Sequence, residues 1–332
     1  MSVNIPLIDI SAYPAGGEAA IAALARTVDR ACTDIGFLLV SGHGVPDSLI
    51  DDMRRVSRRF FARTEAEKLA HRMPPDRYRG YVAMESEALA NSLDEPTPPD
   101  IKESFNIGPL EGPSDAYRQA ATPANFFAEN QWPEDEEFQA VWSRYYRSME
   151  DLSFRLMRIF ALALGMPERF FDDKIDRHIT NFTVLHYPAQ ERPPQPGQLR
   201  AGAHTDYGSL TIVKPDAAPG GLQVRDKAGQ WVDVPYVPDA FVVNLGDLMA
   251  DWTNDRWVST MHRVINPPTD AQVPTSRISM AFFHQPNYDA AIECLPTCTD
   301  PDRPPRHRAT TSGEHVWMKI TKHRDTDLNS AA

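Results

Sequence analysis

The 332-residue chain is long enough for one large domain or two modest ones, and its 42% apolar and 24% charged residues are those of a soluble globular protein. With 34 Lys+Arg against 46 Asp+Glu the net charge is -12, and no long basic stripe interrupts it, so no nucleic-acid partner is expected. No apolar run approaches the roughly 20 residues of a bilayer span, so no membrane association is expected either.

The opening MSVNIPLIDIS lacks the basic start and long apolar stretch of a signal peptide. Cys32, Cys294 and Cys298 cannot all pair and make no disulfide framework, which points to a reducing, cytoplasmic compartment. Within the opening, IPLIDIS alternates apolar and polar residues and reads as a short strand. From Glu18 to Cys32 the chain is alanine-rich, with Ile21, Leu24, Val28 and Ala31 at helical spacing. GFLLV, Gly36 to Val40, is a continuous apolar run that predicts a buried strand. After the turn SGHGV, Pro46-Asp47-Ser48 opens a second helix carrying Leu49, Met53, Val56, Phe60 and Phe61. Residues 73–133 are rich in Pro, Asp, Glu and Asn, lack periodicity and read as loop-dominated. Phe138, Val141, Trp142, Tyr145, Met149, Leu152, Leu156, Ile159 and Phe160 then recur every three or four residues, until Gly165 and Pro167 stop the helix.

Past about residue 180 the period becomes that of strands. NFTVLHYP, SLTIV, GLQVR, QWVDVP, AFVVNLGD, WVSTMHRVINP and SRISMAFFHQP are short β-favouring segments separated by turn residues, which predicts a sandwich or barrel. From Thr297 onward the chain is polar and Pro-rich, with EHVWMKI its only apolar stretch.

The chemistry lies in the strand-rich half. In His204-Thr205-Asp206, read as strand, residues two apart project from one face, with Gly202 and Gly208 allowing close backbone approach. H-x-D alone is weak evidence and needs a third ligand, for which His262 is the best candidate. Two His and one Asp form the 2-His-1-carboxylate triad that holds Fe(II) and leaves positions open for a co-substrate and O2. Arg277-Ile278-Ser279 sets a guanidinium fork and a hydroxyl on one strand face, suited to a carboxylate. Taken alone, that pair reads more readily as a surface Arg beside a core strand, and Tyr187 equally well as a core Tyr. Of the other histidines, His43 reads as a loop residue, His71, His307, His315 and His323 as solvated, and His186 and His284 as strand residues facing either way.

HTDYGSLTIV, STMHRVINP and the RIS of SRISMAFF, in that order, resemble the iron- and 2-oxoglutarate-dependent dioxygenases of the isopenicillin N synthase-like type. IPLIDIS and ACTDIGFLLVSGHGVPDSLIDDM resemble the N-terminal region of the same family, so the likeness runs from about Ile5 to about Phe283. It implies a mainly β fold with flanking helices: a double-stranded β-helix (jelly-roll) core plus an α-rich N-terminal region. The implied division is an N-terminal region over 1–120, a linking helix over 121–175, the core over 176–290 and a tail over 291–332. By the same resemblance His204, Asp206 and His262 ligate iron, with no catalytic side chain beyond them. Arg277 and Ser279 would hold the distal carboxylate of 2-oxoglutarate, and Tyr187 would touch the same co-substrate. Many plant members carry Asn two residues before that tyrosine, where this chain has Leu185. The implied reaction consumes O2 and 2-oxoglutarate, releases succinate and CO2, and hydroxylates, desaturates or cyclises a small organic molecule. Arg77, Arg79, Tyr81, Phe105, Asn106 and Phe283 match places where family members face the substrate. A monomer or weak homo-oligomer is expected. Four alternatives stay open: an iron oxidase that takes no 2-oxoglutarate, an ethylene-forming fragmentation of 2-oxoglutarate, a zinc hydrolase, and a non-catalytic jelly-roll binding module.

Overall fold

The alternating segments of the second half pair into two sheets whose apolar faces meet. In the computed structural model the described residues are 4–74, 78–90, 97–112, 117, 124–190 and 192–319. Their strands are β1 Leu7–Asp9, β2 Phe37–Ser41, β3 Gly80–Val82, β4 Glu103–Ile107, β5 Asn181–Tyr187, β6 Ala201–His204, β7 Leu210–Pro215, β8 Leu222–Arg225, β9 Trp231–Asp233, β10 Phe241–Leu245, β11 His262–Val264 and β12 Arg277–His284. The larger sheet runs β1-β2-β10-β7-β12-β5-β4-β3 and the smaller β6-β11-β8-β9. β1 is parallel to β2, and the other ladders of both sheets are antiparallel. Phe37, Leu39 and Val242 of the larger sheet pack with Val224 of the smaller one. This is the jelly-roll core, with its helices laid on the outside.

Those helices are α1 Glu18–Asp34, α2 Asp47–Phe61, α3 Glu65–Leu69, α4 Glu136–Ala163, α5 Asp172–Ile175 and α6 Asp247–Trp252, and residues 312–319 are also helical. Asp135 caps α4 by accepting from the Phe138 amide at 3.0 Å. The apolar stripe read from the sequence buries against the outer face of the larger sheet. Trp142 meets Phe105 and Phe182 edge-on at 5.3 and 5.1 Å, and Tyr146 meets Phe282 at 5.2 Å. Each such aromatic pair contributes roughly 0.5–1.5 kcal/mol beyond the area it buries.

Strand alternation then decides what faces inward. On β5 Phe182 and Val184 point to the helices, while Thr183, Leu185 and Tyr187 point into the core cavity. On β12 Ile278, Met280 and Phe282 point out, while Arg277, Ser279, Ala281 and Phe283 point in.

Two stretches differ from expectation. The segment 73–133 contains β3 and β4, and β4 is a fully buried strand beside β5. Its sequence ESFNI looks like loop because its polar residues are satisfied inside the protein. Glu103 accepts from Lys68 (2.6 Å) and Tyr81 (2.5 Å) and pairs with His186, while Asn106 accepts from Thr183. The segment after Thr297 is not a bare tail. It adds the strand Thr310–Thr311, which pairs with Ala291–Ile292, then the helix over 312–319, whose Val316 is buried against the core.

Candidate active site

β6 and β11 are neighbours in the smaller sheet, and their register sets His262 directly opposite His204. The two imidazoles therefore stand side by side, ring centroids 4.3 Å apart. His204 is the last residue of β6, so Asp206 lies beyond the strand rather than two places along it. The chain turns there because Gly208 lies against the β12 end: a Cβ on it would stand 2.4 Å from the His284 carbonyl. The turn is pinned from α6, where the Asp247 amide donates to the Asp206 carbonyl at 2.8 Å. Asp206 Oδ1 consequently stands 3.9 Å from His204 Nε2 and 3.7 Å from His262 Nε2. All three ligand atoms lie within 4.8 Å of one another.

The surrounding bonds prepare these atoms for a metal. His204 Nδ1 meets the Gly202 carbonyl at 2.7 Å and His262 Nδ1 meets the Thr260 carbonyl at 3.0 Å, so each Nδ1 is the donor and each Nε2 is the atom turned toward Asp206. Burial, then the neighbouring His262, pushes the His204 pKa down to about 3, so the imidazole is neutral at ordinary pH. For Asp206 burial acts upward, but the two imidazoles and the bonds from Asn244 and Thr211 outweigh it and hold the carboxyl below its usual value. Those donors reach Oδ2 at 2.7 and 2.6 Å, and they are cross-strand partners on β10 and β7. Two imidazoles and one carboxylate, converging from one side, fit iron(II) with open positions.

A cavity of about 780 Å³ lies over this triad. Arg277 and Ser279 enter it from β12, and Tyr187 sits opposite Arg277 on β5. Arg277 donates Nη1 to the Gly220 carbonyl at 2.5 Å. Asp216, which accepts from the Ile278 amide at 3.0 Å, is already bonded by Arg54 at 2.9 Å and Arg58 at 2.5 Å. Burial lowers the Arg277 pKa, yet a guanidinium stays charged at neutral pH. Leu185, at the position of the plant asparagine, gives the same wall an apolar surface.

The substrate-facing candidates divide by strand face. Asn106 and Phe283 line the cavity. Arg79 and Tyr81 border it, but their polar groups are committed elsewhere: Arg79 donates to the Tyr78 and Phe126 carbonyls, each at 2.7 Å, and Tyr81 to Glu103. Phe105 does not reach the cavity, because its odd position on β4 turns it toward Phe60, Phe138 and Trp142. Arg77 lies outside the described residues. Sequence reasoning missed Lys102, Asn181, Thr183 and Val316, all cavity-lining. For the first three the period-2 alternation through IKESFN and NFTVLHY carried the signal. Among the other histidines, His315 is buried, not solvated, and His284 is fully buried and bonded to Ser209 at 2.7 Å. His43 is buried edge-on to Phe241, and His323 lies outside the described residues.

Residues 5–135 match the family described as non-haem dioxygenase in morphine synthesis N-terminal, and residues 179–286 match the 2OG-Fe(II) oxygenase superfamily. The chain is 34% identical to the 2-oxoglutarate-Fe(II) type oxidoreductase hxnY of Emericella nidulans, over 94% of this chain and 88% of that one. It is 32% identical to a homoarginine-6-hydroxylase of Oryza sativa subsp. japonica, over 95% and 96%. The crystal structure of a full-length Neurospora crassa protein in complex with alpha-KG and thymine matches with a TM-score of 0.83 at 30% identity, covering 96% of this chain and 98% of that one. The chain therefore belongs to the 2OG-Fe(II) oxygenase superfamily, as an oxidoreductase that uses iron(II), 2-oxoglutarate and O2 to oxidise a small organic substrate.

Proposed function

We propose that His204, Asp206 and His262 hold the iron, that Arg277 and Ser279 hold the distal carboxylate of 2-oxoglutarate with Tyr187 beside them, and that the substrate enters from the side of Asn106 and Phe283. The observation that carries this reading is that three buried ligand atoms within 4.8 Å open onto the cavity that Arg277 and Ser279 also enter. Iron(II) bound there supplies O2 activation coupled to decarboxylation of 2-oxoglutarate to succinate and CO2. The chain's own work is orientation and electrostatics. Gly202 and Thr260 fix the imidazole tautomers, and Asn244 and Thr211 fix the carboxylate. Arg277, bonded to no acid among the described residues, offers its charge to an arriving anion. The linked Asn106, Thr183 and Asn181 side chains give one wall hydrogen-bonding character beside otherwise apolar surface.

A small polar molecule with an apolar carbon to be hydroxylated suits that wall. Thymine and homoarginine, named for the relatives, are the first compounds to screen, by substrate-stimulated release of labelled CO2 from 1-14C-2-oxoglutarate. Three free thiols and the net charge of -12 support a cytoplasmic enzyme without nucleic-acid or membrane partners, working as a monomer or weak homo-oligomer.

The assignment is tested by anaerobic titration with Fe(II) and then 2-oxoglutarate, following the visible charge-transfer absorption of the complex. His204→Ala, Asp206→Ala and His262→Ala each lose the band. Arg277→Gln keeps iron but needs about tenfold or more 2-oxoglutarate, as loss of a charge-assisted bond implies. A band that survives any of the three alanine variants removes that ligand from the set. Label release that never occurs with wild-type protein sinks the 2-oxoglutarate role.

A further inference from the structure

Behind the clamp stands a second guanidinium that the family motif does not include. Arg200 is 1% exposed, and all three of its bonds end on backbone carbonyls. Nη1 donates to Pro219 at 3.2 Å, and Nη2 donates to Pro188 at 3.2 Å and to Thr275. No carboxylate among the described residues bonds it. Burial and the neighbouring Arg277 lower its pKa to about 10, which leaves it charged at neutral pH.

The three carbonyls belong to the segments that frame Arg277. Pro188 follows β5 directly after Tyr187, and Thr275 precedes Arg277 on the way into β12. Pro219 precedes Gly220, whose carbonyl receives Arg277 Nη1. Tyr187 joins the two cations: it pairs in register with Arg277, and its ring lies 5.8 Å from the Arg200 guanidinium carbon. A buried charge with no counterion is costly, and a neutral donor would cost less if only the three carbonyls mattered. The cost is offset once a dianion arrives.

We infer that Arg200 is a positioning residue for 2-oxoglutarate, tying together the segments that aim Arg277 and adding unneutralised positive charge behind the distal-carboxylate site. The inference rests on the assignment of Arg277 and Ser279 to that carboxylate.

The test compares two ligands on Fe(II)-loaded protein without O2: 2-oxoglutarate, and 2-oxopentanoate, which has the same chelating end and a methyl group in place of the distal carboxylate. The charge-transfer absorption reports each affinity, and thermal melting reports folding. Arg200→Gln should weaken 2-oxoglutarate about tenfold while 2-oxopentanoate changes less than about twofold. Arg200→Lys keeps charge but not the fork, so its loss should be intermediate, and it carries the test if the Gln variant does not fold. Equal weakening of both ligands, or no weakening of 2-oxoglutarate, overturns the inference. Arg277→Gln runs in parallel. If it leaves the preference for 2-oxoglutarate intact, the clamp assignment itself fails. If it abolishes the preference while Arg200→Gln does not, the clamp stands and only the role of Arg200 falls.

Discussion

Asp206 divides its two carboxylate oxygens between different tasks. Oδ2 takes both Asn244 and Thr211, and Oδ1 is left facing the two imidazoles. Removing one of these donors keeps the ligand but loosens its aim. Asn244→Ala should therefore weaken Fe(II) or Co(II) binding about 10- to 100-fold with little loss of folding, measured by competition with a metal-binding dye. Wild-type affinity in that variant would mean the bond does not orient the ligand. The proposed triad and the proposed Arg277-Ser279 clamp were legible in the sequence as candidates, because their residues sit in short motifs. Asn244 and Thr211 were not. Their segments read only as strands, and their convergence depends on the β10–β7 register, which periodicity does not specify.

At the scale of elements, β4 shows why the substrate-side residues were harder to read. Its neighbours Phe105 and Asn106 differ by one position and face opposite ways, one into the aromatic layer under α4 and one into the cavity. Substitutions there should separate accordingly. Phe105→Ala should cost about 3–5 kcal/mol of stability by chemical denaturation, with turnover kept below its melting temperature. Asn106→Ala should cost much less stability and instead lower substrate-stimulated decarboxylation relative to the unstimulated rate. If the two variants lose stability and stimulation in the same proportion, the strand's faces are not divided as described. The long helix α4 and the strands β5 and β7 to β12 were legible because each lies in a periodic or β-favouring segment between turn residues. β4 was hidden by polar residues whose partners, Lys68, His186 and Thr183, lie far off in sequence.

For the whole molecule, the net charge of -12 describes the surface and not the site. Arg200 and Arg277 concentrate positive charge at the proposed 2-oxoglutarate site, and Lys102 on the same cavity is balanced by Glu87 at 2.8 Å and Asp100 at 3.3 Å. Closure of the cavity is a property of the full chain too. The helix over 312–319 supplies Val316 to the wall and is fastened by Lys319 to Asp247 at 2.8 Å. Asp247 also accepts from Thr205, between His204 and Asp206, at 3.4 Å. A chain truncated after Thr311 should keep the Fe(II)–2-oxoglutarate band but lose substrate stimulation. Unchanged stimulation would show that the helix is not a working wall.

The position of that wall along the chain also orders events during synthesis. Every strand of the smaller sheet, β6, β8, β9 and β11, precedes residue 265, so His204, Asp206 and His262 all come earlier in the chain than Arg277, Ser279 and Val316. The proposed metal ligands are thus synthesised ahead of the residues that wall the cavity above them, so translation makes the floor of the pocket first and its cover last.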